Sequence, residues 1–197
     1  MRLVLMVAAC FPEEQAKVQA ELDAVIGKER APTFADRPSL PCLEAFISEA
    51  LRWRPSVPEA RPLNGLPHRT TKDETYCIPA GTTVTGNHWY AISRDPEVYP
   101  EPDGFQPQRW IDDQGRLRDG LTFFVFGFGR RVCPGQHIGV QLLILWAFQL
   151  NLDLTKPQDD MGFTSAFMPN VPGAIEFQTR VPEVELIHTM PNYPKAG

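Results

Sequence analysis

Nine prolines fall between Pro55 and Pro107, and nothing else in the chain restricts its backbone so strongly. A proline ring fixes φ and removes a hydrogen-bond donor, so a segment this punctuated cannot sustain a long helix or a central strand. Coil, turns and short edge strands are expected there. Over the whole chain 20 of 197 residues are proline, against a usual share of ~5%. The length suffices for one domain with a substantial core.

Helical periodicity lies on either side of that segment. Pro12 to Ile26 reads as a helix: Pro12 suits the first helical position, Glu13 and Glu14 complement the positive end of the dipole, and Gly27 stops it. Val18, Leu22, Val25 and Ile26 form its apolar stripe, with Glu13 and Lys17 one turn apart for pairing. A second helix is expected from Pro41 to Trp53, with Leu43, Phe46, Ile47, Ala50 and Leu51 apolar. A third, Ile138 to Leu150, is apolar on nearly every side and must therefore be buried. Strand candidates are short: Thr75–Ile78, Thr82–Val84, Ala174–Thr179 and Glu183–His188. Asn87–Ser93 suits one or two helical turns. Met1 to Cys10 carries one charge and a short apolar stretch that could pass for a signal or lipoprotein cleavage site. It is well below the ~20 residues of a membrane span, and reads instead as the end of a buried helix leading into the next.

Composition narrows the partners. A net charge of −5 and the lack of any basic stripe exclude nucleic acid as a partner. Cys10, Cys42, Cys77 and Cys133 are widely spaced, without a CxxC pair. That excludes the usual paired-cysteine metal spacings and a secreted disulfide framework, and favours a reducing compartment.

The residues richest in chemistry are Phe126-Gly127-Phe128-Gly129-Arg130-Arg131-Val132-Cys133-Pro134-Gly135. Cys133 stands at a helix N-cap position before Pro134, where free backbone N–H groups, the helix dipole and two arginines would suit an anionic sulfur. The glycines let a flat group approach the backbone. An inert core cysteine fits poorly with that polar setting. A phosphate loop would need Lys-Ser/Thr after the glycines. A cysteine nucleophile would need a base, and His137 is the only local candidate. A thiolate ligand to a large planar cofactor fits best.

These residues match the FxxGxRxCxG signature of the cytochrome P450 family at Phe126, Gly129, Arg131, Cys133 and Gly135. Glu49-Ala50-Leu51-Arg52 resembles the ExxR of its helix K, Phe105 to Trp110 resembles its FxPxRW/F meander motif, and Pro67-His68-Arg69-Thr70 its PHRT stretch. The resemblance runs from about Phe11 to the end and implies the C-terminal portion of a fold that is mainly α with small β-sheets, here incomplete. The 197 residues would form one partial domain: the end of helix I and helix J (1–27), helix K (41–53), short strands and meander (66–125), Cys-ligand loop (126–135), helix L (136–150) and a C-terminal hairpin (170–190). Three lengths depart from the pattern: Ser56–Gly65 is long, Tyr90 is extra, and helix L is short after His137.

The resemblance implies haem b held by Cys133 as the axial ligand of its iron. Arg131 and Arg69 would contact the propionates, Phe126 would shield the sulfur, and Gly129 and Gly135 would shape the loop. His137 would lie beside the site or on the surface. Glu49 and Arg52 share a helix face. Alone, such a pair could be a solvated bridge worth under ~1 kcal/mol, but in the family Arg109 joins them in a buried structural network behind the loop. The implied activity is monooxygenation of a small organic substrate, with electrons from a separate reductase. The alternative is a non-catalytic haem-binding fragment or an inert truncated product. No catalytic residue is assigned in this chain, because the family's proton-delivering acid–threonine pair lies outside it. Val57–Leu66 and Phe167–Ile175 would contribute to a substrate pocket. Full-length eukaryotic relatives associate with the endoplasmic-reticulum membrane, whereas the sequence assigns no location to this chain.

Overall fold

Val7, Leu22, Leu43 and Leu145 come from four different helices and meet with no exposed surface. The computed structural model describes residues 2–55, 69–70, 77–83, 87, 92–118, 121, 125–127, 133, 140–153, 155 and 175–182. Among them are helices α1 (Arg2–Cys10), α2 (Pro12–Val25), α3 (Pro41–Trp53) and α4 (Val140–Ala147). Single 3-10 turns occupy Phe34–Ser39 and Pro107–Trp110. Strands β1 (Arg69–Thr70) and β2 (Cys77–Ile78) pair antiparallel, as do β3 (Phe148–Leu152) and β4 (Ile175–Thr179). The fold is therefore mainly α with small sheets. Among the described residues no helix is long and apolar enough to cross a membrane.

The helices follow from local chemistry, with two adjustments. In α2, Pro12 opens the helix, and Gly27 closes it at φ +76°, a value other residues adopt only with strain. Val18 and Leu22 are buried, but Val25 is 43% exposed and does not belong to the apolar stripe. Lys17 pairs with Glu14 at 2.7 Å, one residue along from the expected Glu13. The start of α3 has no local cap, since Leu40 occupies the N-cap position. Glu21 of α2 supplies one instead, its two carboxylate oxygens accepting from the N–H groups of Cys42 (2.9 Å) and Leu43 (3.0 Å).

Two sequence expectations are corrected. The helix expected to reach Leu150 ends at Ala147, and Phe148–Leu152 is a strand in register with Ile175–Thr179. The physical reason is capture of the terminal carbonyls. The Arg180 guanidinium donates to Trp146 O (2.9 Å) and Leu145 O (3.3 Å), and its backbone N–H to Ala147 O (2.8 Å). Gln19 donates to Phe148 O at 3.1 Å, and Asp23 holds Arg180 at 2.7 Å. Those partners satisfy the last turn without further helix. Thr82 and Thr83 lie outside any strand, Thr82 closing a turn onto Pro79 O at 3.2 Å. Ile92–Arg94 form a turn. Residues 75–76, 84, 88–91 and 174 lie outside the described residues, as does the expected strand Glu183–His188.

α3 is buried on two sides. Leu43, Phe46 and Ala50 face the core shared with α1, α2 and α4. Ala45, Glu49 and Arg52, which fall on a second helix face, turn toward the proline-rich segment 93–111. One amphipathic stripe would have left that second face in water.

A buried glutamine joins the helical layer to β3. Gln15 donates to Ala8 O (3.0 Å) and Leu150 O (2.9 Å) and accepts from the Leu150 N–H (2.8 Å). Gln15→Leu keeps the bulk but leaves three buried backbone groups without partners, each costing about 1–3 kcal/mol. A loss of at least ~3 kcal/mol in urea unfolding is expected; unchanged stability would show that these bonds contribute nothing.

Candidate functional site

Glu49 has no exposed surface and is the centre of the second face of α3. Its Oε1 accepts from Arg52 Nη2 (2.8 Å), the Gln106 backbone N–H (2.9 Å) and Arg109 Nε (3.2 Å). Its Oε2 accepts from Arg52 Nε (2.8 Å) and Trp110 Nε1 (2.9 Å). A desolvated carboxylate is stable only with such a complete set of donors. The solvated-bridge reading of Glu49 and Arg52 is excluded by their burial.

Arg52 is likewise fully buried and uses all of its donors. Besides the fork to Glu49, Nη1 donates to Ser93 O (2.7 Å) and Pro102 O (2.9 Å), and Nη2 to Gly104 O (3.1 Å). Its guanidinium lies 5.2 Å from the centre of the Tyr99 ring, which adds a cation–π contact. Burial pushes the Tyr99 hydroxyl up from its ordinary value.

The turn 100–104 offers five successive carbonyls to this cluster. Arg109 donates to Pro100 O (2.8 Å) and Glu101 O (3.4 Å), Arg52 to Pro102 O and Gly104 O, and Trp53 Nε1 to Asp103 O (2.7 Å). Arg94 forms an ion pair with Asp103. Glu101 sits at φ +51°, a left-handed conformation costing about 1 kcal/mol or more for a non-glycine residue. The surrounding donors hold it there. Prolines at 100, 102 and 107 remove N–H groups that would otherwise compete for those carbonyls.

Cys133 is exposed, and its backbone N–H donates to Phe126 O at 2.8 Å. The seven-residue step from 126 to 133 is thus a closed loop. Gly127 turns it at φ +75°, where a side chain would be strained. The thiols of Cys10 and Cys42 differ in setting: burial raises the first, and burial followed by the Glu21 carboxylate pushes the second up to about 11. Cys42 lies in the first turn of α3, where the dipole favours a thiolate, yet Glu21 already occupies that end.

Of the sequence-predicted site residues, Glu49, Arg52 and Arg109 are in contact. Cys133 and Phe126 share the loop bond. Arg69 lies on β1 opposite Ile78, with its side chain outside the described residues. Arg131, Gly129, Gly135 and His137 are outside them as well. Sequence reasoning overlooked Trp110, Tyr99 and the Gln106 amide as members of the network. Trp110 had one available signal, since a buried indole N–H normally requires an acceptor.

Comparison with known proteins places the chain in a family. Residues 1–177 match the profile of the family described as Cytochrome P450. Cytochrome P450 monooxygenase 64 of Postia placenta is 49% identical over 193 residues, covering 93% of this chain and 38% of that protein. Cytochrome P450 monooxygenase 113 of the same fungus is 47% identical over 195 residues, covering 94% and 38%. The echilunin cytochrome P450 monooxygenase of Aspergillus ruber is 36% identical over 195 residues, covering 96% and 34%. The chain therefore spans little more than a third of the length of these relatives, and it belongs to the cytochrome P450 family.

Proposed function

We propose that this chain forms the thiolate-bearing part of a haem monooxygenase. The observation that carries this reading is the exposed Cys133 thiol on a loop closed by the Phe126 carbonyl, in a chain of this family. The residues fit the group: of the three cysteines whose side chains are described, Cys133 alone is exposed. Its Sγ would hold the haem iron as a thiolate. A bound haem supplies reductive activation of O₂ and insertion of one oxygen atom into a C–H bond of a small organic substrate.

The chain's own part is to hold and orient that group. Phe126 O fixes the Cys133 backbone, and Gly127 gives the loop its sharp return. Gly129 and Gly135 would leave room for a flat macrocycle, and Arg131 and Arg69 would pair with its propionates. Glu49, Arg52 and Arg109 lock segment 93–111 against α3 and so support the chain leading into the loop. Electrons come from a separate reductase.

Reconstitution with haem, reduction and addition of CO should give the red-shifted Soret band of a thiolate–CO complex. A band without that shift would remove the haem-thiolate reading. Turnover of an organic substrate with an added reductase then tests the oxygenase activity itself. Cys133→Ala is expected to abolish the band, and an unchanged ferric spectrum would mean that another residue binds the iron. Glu49→Ala strips the partner from buried Arg52 and should cost about 3–5 kcal/mol in urea unfolding, together with haem retention. A stable, haem-loaded variant would overturn the supporting role of the network.

A further inference from the structure

We propose that the indole N–H of Trp110, as distinct from its ring, is a positioning element for the haem site; this rests on the haem-thiolate reading above. The argument begins with how Glu49 is divided. Of its donors, Arg52 belongs to the same helix, so its fork to Glu49 brings no other segment to that carboxylate. The docking bonds come from segment 105–110, and Gln106 and Arg109 both go to Oε1. Among the described residues, Trp110 at 2.9 Å is the only donor from that segment to Oε2. Bonds to one carboxylate oxygen leave a pivot. A bond to each oxygen restrains the rotation of residues 105–110, adding to the Arg52 and Trp53 bonds that hold residues 102–104.

Trp110 also belongs to the small core through which the chain passes before the ligand loop. It is 4% exposed and packs with Ala45 and Tyr99, and Ile111 and Leu121 close the same cluster. The Tyr99 and Trp110 rings lie 5.9 Å apart, centre to centre. Leu121 is five residues before Phe126, whose carbonyl holds Cys133. One side chain thus bonds the Glu49 hub and belongs to the cluster against which Leu121 packs. Phenylalanine would keep an aromatic ring in this cluster without the donor, so what tryptophan adds beyond ring packing is the bond to Oε2.

Two variants separate the contributions. Trp110→Phe keeps an aromatic ring and loses the donor; Trp110→His keeps a ring N–H at the corresponding position and loses the larger ring. In the full chain, Trp110→Phe should speed hydrogen exchange at the Gln106 amide on the order of tenfold, because a bond to a charged acceptor is lost. It should speed haem dissociation similarly and lower the share of the CO complex in the thiolate form, while Trp110→His stays nearer wild type in all three. Wild-type behaviour of Trp110→Phe would overturn the proposal, as would greater loss in Trp110→His, which would assign the role to ring volume. If the wild-type chain takes up no haem, the haem-thiolate reading fails and the proposal with it. The exchange arm would then report only whether the indole bond docks the segment.

Discussion

A carboxylate removed from water needs its charge met from several directions, and the donors around Glu49 come from distant parts of the chain. Arg52 arrives from the next helical turn; the Gln106 amide, Arg109 and Trp110 come from a segment more than fifty residues on. Arg52 in turn reaches the carbonyls of Ser93, Pro102 and Gly104. With an arm missing, the buried charges would lose part of their compensation, so the arms support one another. The proline-rich segment has few backbone bonds of its own. It acquires a defined path because α3 supplies the donors its carbonyls require.

The same division of labour recurs on the other side of the molecule. Gln15 and Gln19 of α2 hold the backbone where α4 gives way to β3, and Arg180 closes the helix end from β4's side. Glu21 caps α3 from a neighbouring helix. Each is a polar side chain that would pass for surface decoration in a linear reading, and each satisfies backbone groups left open by an element end. Buried apolar contacts bring the helices together, and these bonds set where elements start and stop.

Cys133 sits differently from the other two cysteines with described side chains. Cys10 and Cys42 lie half-buried, and Cys42 shares its helix end with a carboxylate, which disfavours a thiolate. Cys133 is exposed on a loop whose backbone is tied at Phe126. An axial ligand needs this combination: freedom of the sulfur to meet an incoming metal, and little freedom of the backbone beneath it.

By itself the sequence determined the family, through the residues around Cys133, Glu49 and Arg109, and it placed α2 and α3 through prolines, glycine and apolar spacing. It also marked segment 55–107 as irregular, because proline restricts a backbone whatever surrounds it. Only the tertiary structure decided the rest. That Glu49 and Arg52 are fully buried depends on a segment docking from far along the chain. Spacing within one helix cannot reveal that. That α4 stops at Ala147 depends on Arg180 and Gln19 capturing its carbonyls, when apolar periodicity alone would have carried it to Leu150. That Trp110 is a donor as well as a core ring depends on where Glu49 Oε2 lies. Local propensity and motif spacing act along the chain, whereas the satisfaction of buried charges and helix ends is settled across it.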